Sequence, residues 1–529
     1  MSDAQPAFAL DDMQGNRAAF PSGKPAVVCF LKEDCPTCNE VMTVLESFYR
    51  AYGDDIDILL AGQTVEGNRT LIERHGLTVP LLDDSALKVA WTWDVDIVPT
   101  IYLTGGDGAP VERREGFVRE EWLTFDAAIA AAAGSEPAPI EWESLPAWRP
   151  GCGSLTGDPD VAARLAAEDE NSPIRARRIE VAEQDDEFEF MFDQGFTDGL
   201  PVIPPTAERV LRMLTGTNRD AQEVVATMPP NMAPATVEKI AINAVMAGCK
   251  PEYLPVVIAA VEAACTDEFN IHGVMATTMG ASPVMVVNGP IRERLGMNMR
   301  LGALGQGTRA NVTIGRALRL AVRNIGGARP GGTERSTLGN PMKIAMCFPE
   351  FEERSPWEPL HVERGFDAAD SVVTLFAMTS GPTLIVDQTS LTGPQMAGSI
   401  GQALNAAHHP KAHPNGDCLL VVCPEHVDTL GKGDLIDTKA KLRSRIQEVT
   451  AVPMASLVQD EDSGVGIPAE RLEAMTPEQR ATRVPKFASD ANIHIVVAGA
   501  DAGKFSGAFH GWATGPMGSI SVSRKIEEL

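Results

Sequence analysis

The chain has 529 residues and 44% hydrophobic content, which is too long for one small domain and normal for a protein with buried cores. A formal charge of −27 leaves no electrostatic footprint for a phosphate backbone, so no nucleic-acid role is expected. No apolar run approaches the ~18 residues that span a bilayer, and nine cysteines over this length do not make a disulfide scaffold.

The opening, MSDAQPAFALDDMQG, carries acidic residues where a secretory leader needs a basic start and an apolar core. A reducing cytoplasm is the expected compartment. The run Ala26-Val27-Val28-Cys29-Phe30-Leu31 reads as a buried strand, and Val41, Val44, Leu45, Phe48 and Tyr52 share one helix face. Between them stands Cys35-Pro36-Thr37-Cys38, at a strand-to-helix turn. Unsatisfied N–H groups and the positive end of the helix dipole favour a thiolate at Cys35, and Cys38, one turn on, is placed to close a disulfide with it. Pro36 fits the first turn, having no N–H to lose. Asp34 should oppose part of the helix effect on Cys35. Half of a zinc site would need a second ligand pair, and no other CxxC occurs in the chain.

Downstream the pattern predicts a strand (Ile56 to Leu60), a helix (Asn68 to His75), a strand (Val79 to Leu82) and a helix (Ser85 to Trp91). Then come Val98-Pro99, a strand from Thr100 to Leu103, a turn at Gly105 to Gly108, a polar strand near Val111 and a helix from Arg119 to Ala133. Alternating strand and helix with a late hairpin predicts an α/β sheet. On these residues the first 134 positions resemble a thioredoxin-fold domain of the TlpA or peroxiredoxin-like branch. The resemblance implies a cis peptide before Pro99, with the proline lying against a redox-active Cys35–Cys38 disulfide. Asp34 and the Pro36-Thr37 pair depart from the family's common Trp-Cys-Gly-Pro-Cys.

Residues 135–195 read as a linker and charged connector: SEPAPIEWESLPAWRPG is Pro-rich and extended, and Glu168 to Glu189 reads as one or two solvated helices. Cys152 stands between Gly151 and Gly153, in a segment expected to be mobile. Some 18 residues at roughly 3.3 Å each give it a reach of up to ~60 Å. Residues 196–529 read as a large α/β domain of one or two lobes, its topology left open. Helical periods run over Val237 to Ala247, Leu254 to Cys265, Ala310 to Val322, Pro394 to Ala407 and Lys439 to Val449. Strand-like runs cover Val284 to Val287, Ile344 to Phe348, Ser371 to Phe376, Thr383 to Val386, Cys418 to Val422 and Ile493 to Val497. The stretches AVMAGCKPEYLPVVIAAVEAA, VNGP, RANVTIGRALRLAVRNIGG, SPWEPLHVERGF, CPEH and HIVVAGADAGKFS resemble the UGSC-type proteins, a group that includes selenoproteins. In that group a Sec-Gly-Ser-Cys motif precedes the large domain. The resemblance puts Cys152 at the selenocysteine position, with Leu155 where the motif has cysteine.

Cys249 and Cys347 end their elements and could line a site, whereas Cys265, Cys418 and Cys423 read as packing. His426, at a strand end, is an acid/base candidate. Arg309, Arg316 and Arg323 recur on one helix face, and with Asn311 they are candidates for holding an anionic substrate; Glu350 is a further substrate-binding candidate. The loop of His408, His409 and His413 lacks a carboxylate or thiol at a metal-ligand interval, so no metal is expected. No cofactor is expected beyond the disulfide. The reading is a thiol-dependent oxidoreductase: the CxxC unit reduces Cys152, which acts on a small electrophilic or oxidised substrate bound by the C-terminal domain. An external thiol or disulfide reductase completes the cycle, and a homo-oligomer is left open. The rival reading makes the C-terminal domain a lyase or hydrolase with its own acid/base or metal site.

Overall fold

The computed structural model describes residues 4–169, 172–179, 181 and 186–527. The chain divides into two compact units, residues 1–179 and 180–529.

The first unit opens with a hairpin, β1 (Phe8–Asp11) and β2 (Arg17–Phe20), whose Phe8 and Phe20 rings meet Trp93 at 5.8 and 5.1 Å. Next come β3 (Ala26–Leu31), α1 (Pro36–Tyr52), β4 (Asp57–Gly62), α2 (Val65–His75), β5 (Leu81–Asp83) and α3 (Lys88–Thr92). They are followed by β6 (Ile97–Val98), β7 (Thr100–Thr104), β8 (Pro110–Glu115), β9 (Phe117–Val118) and α4 (Arg119–Ala133). One five-stranded sheet has the order β5-β4-β3-β7-β8, parallel through β5, β4 and β3 and antiparallel beyond. All six residues of β3 are buried, which is why the central strand reads as an unbroken apolar run. The spaced apolar residues of α1, from Val41 to Tyr52, are buried against this sheet's core. Gly53 follows the helix, and Pro36 opens it.

The segment after α4 departs from the expected free connector. Ala138 N–H donates to Tyr52 Oη at 2.6 Å. Strand β10 (Trp148–Arg149) pairs antiparallel with β9, and β11 (Cys152–Gly153) pairs antiparallel with β6. A helix, α5 (Pro159–Asp169), follows. Proline-rich composition does predict extended chain; it carries no information on whether that chain finds a strand with unpaired backbone groups. Here it finds two, so the first compact unit runs on to Ile179 rather than stopping near 134. Part of the charged stretch from Glu168 to Glu189 lies outside the described residues; its described ends belong to α5 and to a helix over Glu187–Asp193.

The second unit is built on a seven-stranded mixed sheet. Its order is Cys347–Pro349, Ser282–Asn288, Val372–Val386, Phe505–Gly511, Cys418–Val422 and Ile493–Val497, with Val522–Lys525 also paired to Val372–Val386. The outer pairs, Ser282–Asn288 with Cys347–Pro349 and Cys418–Val422 with Ile493–Val497, are parallel. Leu419 and Val421 enter one core cluster while Cys418, Leu420 and Val422 enter another, the two faces of a period-two strand. The helices Gly393–Asn405 and Lys439–Thr450 bury Met396, Ile400, Leu404, Leu442 and Ile446 in the second of these clusters. The runs Ser371 to Phe376 and Thr383 to Val386 are one irregular strand, Val372–Val386, interrupted in sequence by Gly381-Pro382. Phe505–Gly511 and Val522–Lys525 were not expected; glycine, serine and charge hide their apolar content. Among the described residues no helix is long and apolar enough to cross a membrane.

Candidate functional site

Cys35 is the N-cap of α1, with extended backbone (φ −85°, ψ 114°), so its sulfur faces the free N–H groups of the first turn. Cys38 N–H donates to Cys35 Sγ at 3.2 Å, and Cys35 Sγ lies 3.4 Å from the carbonyl oxygen of Val98. The Val98–Pro99 peptide is cis, as the resemblance implies. Opposite Val98, in register, is Cys152 of β11. Its thiol hydrogen-bonds the Cys35 sulfur, so three sulfurs meet at the head of α1.

The three do not share charge equally. Hydrogen bonds from the Cys38 thiol and N–H, the Cys152 thiol and the Thr37 N–H outweigh burial and bring the Cys35 thiol down to about 6. Burial, then the neighbouring Cys35 charge, raises Cys38 far above the ordinary thiol range. Burial and the hydrogen bond to Cys35 push Cys152 up to about 11, partly offset by Lys32. The site therefore holds one thiolate and two thiol donors around pH 7. The expected opposition from Asp34 is muted, because Asp34 pairs with Lys32 at 3.2 Å.

The strap carrying Cys152 is fastened at several points. Thr37 Oγ1 donates to Pro150 O at 2.5 Å, and Lys32 Nζ donates to Gly153 O at 3.1 Å. Ser154 N–H donates to Asp96 O at 2.9 Å, and Thr156 Oγ1 donates to Val95 O at 2.6 Å. Gln63 reaches across to Ser154 Oγ at 2.7 Å and accepts from Leu155 N–H at 3.0 Å. Gly151 is required by close approach: a Cβ there would stand 2.2 Å from Ile97 Cγ2 and 3.0 Å from Val98 O. Cys152 is thus half-buried in a paired strand rather than carried on a mobile tether, and Cys35 beneath it is 0% exposed.

The remaining candidates lie in the second unit. Cys249 and Cys347 are buried, their thiols raised by burial, Cys249 to about 12. Arg309 donates from Nε to Gly248 O at 2.8 Å. Arg316 grips Asp198 through two hydrogen bonds of 2.8 and 2.7 Å, and Arg323 donates to Gly195 O at 3.3 Å. Asn311 is a loop staple, accepting from Asn298 N–H at 3.0 Å and donating to Asn298 O at 2.9 Å. These groups hold protein segments in place and do not converge on one cavity. Glu350 is fully buried, accepts from Asn288 Nδ2 and Leu360 N–H at 2.7 and 2.8 Å, and is raised by burial. His426 is buried beside Cys423 and Ser506. His408, His409 and His413 turn to Thr379, Ser463 and Asn405 respectively, and among the described residues no cluster of three or more His, Cys, Asp or Glu is set to hold a metal.

Sequence reasoning missed Thr37, Gln63 and Gly151 as parts of the first site. Thr37 was in view inside the motif; nothing in the sequence marks Gln63. It also took Cys423 for packing, although its place three residues before His426 at a strand end was a usable signal.

No protein-family profile matches the chain. Over 123 residues, 22% of this chain and 71% of the relative, it is 28% identical to the thiol-disulfide oxidoreductase ResA of Bacillus anthracis. ResA of Halalkalibacterium halodurans is 26% identical over 121 residues, 22% of this chain and 69% of the relative. Among solved structures, StoA from Bacillus subtilis is 21% identical with a TM-score of 0.21, covering 23% of this chain and 96% of that one. About 22% of the chain is thus similar in sequence to the thiol–disulfide oxidoreductase ResA.

Proposed function

We propose that the first unit is a thiol–disulfide oxidoreductase whose own client is Cys152, and that Cys152 acts on a small electrophilic or oxidised substrate supplied by the UGSC-like residues 196–529. The observation that carries this reading is the antiparallel pairing of Cys152 with Val98, which sets its thiol against the Cys35 sulfur. An extended segment paired beside a dithiol, offering its own sulfur, has the arrangement of a bound client.

In the proposed cycle, reaction with the substrate leaves Cys152 sulfur bonded to a leaving group, either a substrate sulfur or oxygen. Cys35 thiolate attacks Cys152 Sγ; the Cys35–Cys152 bond forms and the leaving group departs with the electron pair and a proton. Cys38, deprotonated as it attacks, bonds to Cys35 Sγ and releases Cys152 as a thiolate. Once Cys35 is in a disulfide, its charge no longer raises Cys152, and Lys32 remains to favour the departing thiolate. Two electrons have then left the Cys35–Cys38 pair, and an external thiol or disulfide reductase returns them.

One equivalent of hydrogen peroxide added to the reduced full chain with Cys38→Ser tests the relay, since a sulfenic acid formed at Cys35 or Cys152 condenses with the other sulfur, with loss of water. Peptide mapping should show the Cys35–Cys152 disulfide within the chain. A sulfenic acid persisting at Cys35 with Cys152 still a free thiol would remove Cys152 from the path.

A further inference from the structure

The second unit carries a thiol arrangement of its own. The parallel strands Cys418–Val422 and Ile493–Val497 end on the same side, where loops of such sheets converge. Cys423 ends the first of them, and His426 follows one turn on, its N–H bonded to Cys423 O at 3.0 Å. Ser506 comes in from the neighbouring strand, Phe505–Gly511.

His426 Nε2 is 3.0 Å from the Asp387 carbonyl oxygen, and Nδ1 is 2.7 Å from Ser506 Oγ. A carbonyl can only accept, so in the neutral imidazole the proton sits on Nε2 and the lone pair on Nδ1 faces Ser506. The Asp387 carbonyl is itself fixed: its side chain accepts from Thr389 N–H, Ser390 N–H and Ser390 Oγ at 3.0, 2.8 and 2.6 Å. The Ser506 hydroxyl therefore donates to Nδ1, while its oxygen accepts from Cys423 N–H at 3.1 Å and lies 3.6 Å from Cys423 Sγ, within reach of the thiol proton. The hydroxyl thus bridges thiol and imidazole. Ionising Cys423 moves one proton to His426 Nδ1, which then donates to Ser506 while Ser506 donates to the sulfur.

We propose that Cys423, Ser506 and His426 form a second nucleophilic thiol site, one that takes the acyl group of a small activated ester or thioester. Cys423 sulfur bonds to the carbonyl carbon, the carbon–leaving-group bond breaks, and the thiol proton travels through Ser506 to His426 and on to the leaving group. Water then attacks the thioester, giving the acid and the free thiol; no electron changes hands. Cys423 is 4% exposed, His426 0% and Ser506 2%, so the bridge is dry and the ion pair is little screened. Burial opposes charge on both partners, yet their mutual hydrogen bonds win, lowering the Cys423 thiol and raising His426. The other cysteines of this unit, Cys249, Cys265, Cys347 and Cys418, are all raised by burial. The backbone of Gly499 packs against Cys423. A Cβ at Gly499 would lie 3.7 Å from Cys423 Cβ, and its φ of 119° is one that a side chain resists. This site stands independently of the Cys35–Cys152 relay.

The test uses the full chain, reduced, with p-nitrophenyl acetate and iodoacetamide as probes and mass mapping of each cysteine from pH 5.5 to 9. Cys423 should be acetylated and should alkylate with an inflection below the ~8.5 of an ordinary thiol. His426→Ala and Ser506→Ala should each cut its labelling at pH 6.5 by tenfold or more, with most of the rate returning at pH 9. A Cys423 left unlabelled through pH 9, or a pH profile that neither substitution moves, overturns the proposal.

Discussion

Cys35 has a lower thiol pKa than its two neighbours because of where the chain puts it, not because of its residue type. It alone caps α1 and receives donors, while Cys38 lies behind it in the core and Cys152 serves it as a donor. A thiol held near 6 keeps its thiolate above that pH and loses it as pH falls through about 6. Alkylation of Cys35 should therefore be flat from pH 7 to 8 and fall about tenfold per unit below 6. At pH 7 it should exceed that of Cys38 by at least tenfold, and peptide mapping decides it; faster labelling of Cys38 would reverse the assignment. The Cys35/Cys38 pair was legible in the sequence because strand, turn and helix are local patterns. Cys423 was only partly legible: His426, three positions on, is a local signal, whereas the bridging Ser506 lies some 80 positions away and no local pattern reports that contact.

Strap β10–β11 decides what reaches the dithiol. It covers Cys35 through a backbone pairing that tolerates no side chain at position 151. In Gly151→Val the Ile97 methyl can rotate aside, but the Val98 carbonyl at 3.0 Å belongs to backbone and cannot. The substitution should lift β11 from β6 and raise the alkylation rate of Cys35 at pH 7 by tenfold or more. An unchanged rate would mean the strap does not control access. The pairing partner was hidden from the sequence: two-residue strands carry no periodicity, and the register of Cys152 on Val98 is set by contacts spread over Thr37, Gln63 and Asp96. The glycines around Cys152 suggested mobility, whereas Gly151 is there for close approach.

At the scale of the whole molecule, the α/β character of both units followed from alternating patterns, while the end of the first unit did not follow from the proline-rich composition near 134. The strap's buried hydrogen bonds, among them Ala138 to Tyr52 and Gln63 to Ser154, belong to the first unit's stability. At about 0.5–1.5 kcal/mol each, their loss should leave a fragment of residues 1–134 less stable than 1–179 by at least about 2 kcal/mol. Urea unfolding of the two fragments measures the difference, and equal stabilities would make the strap a loosely held addition. The central claim, that Cys152 is the dithiol's own client, is tested most directly by trapping. In the full chain with Cys38→Ser, mild oxidation followed by mass mapping should show Cys35 and Cys152 joined as one disulfide-linked peptide pair. Cys35 joined to Cys249 or Cys347, or to nothing in the chain, would contradict it.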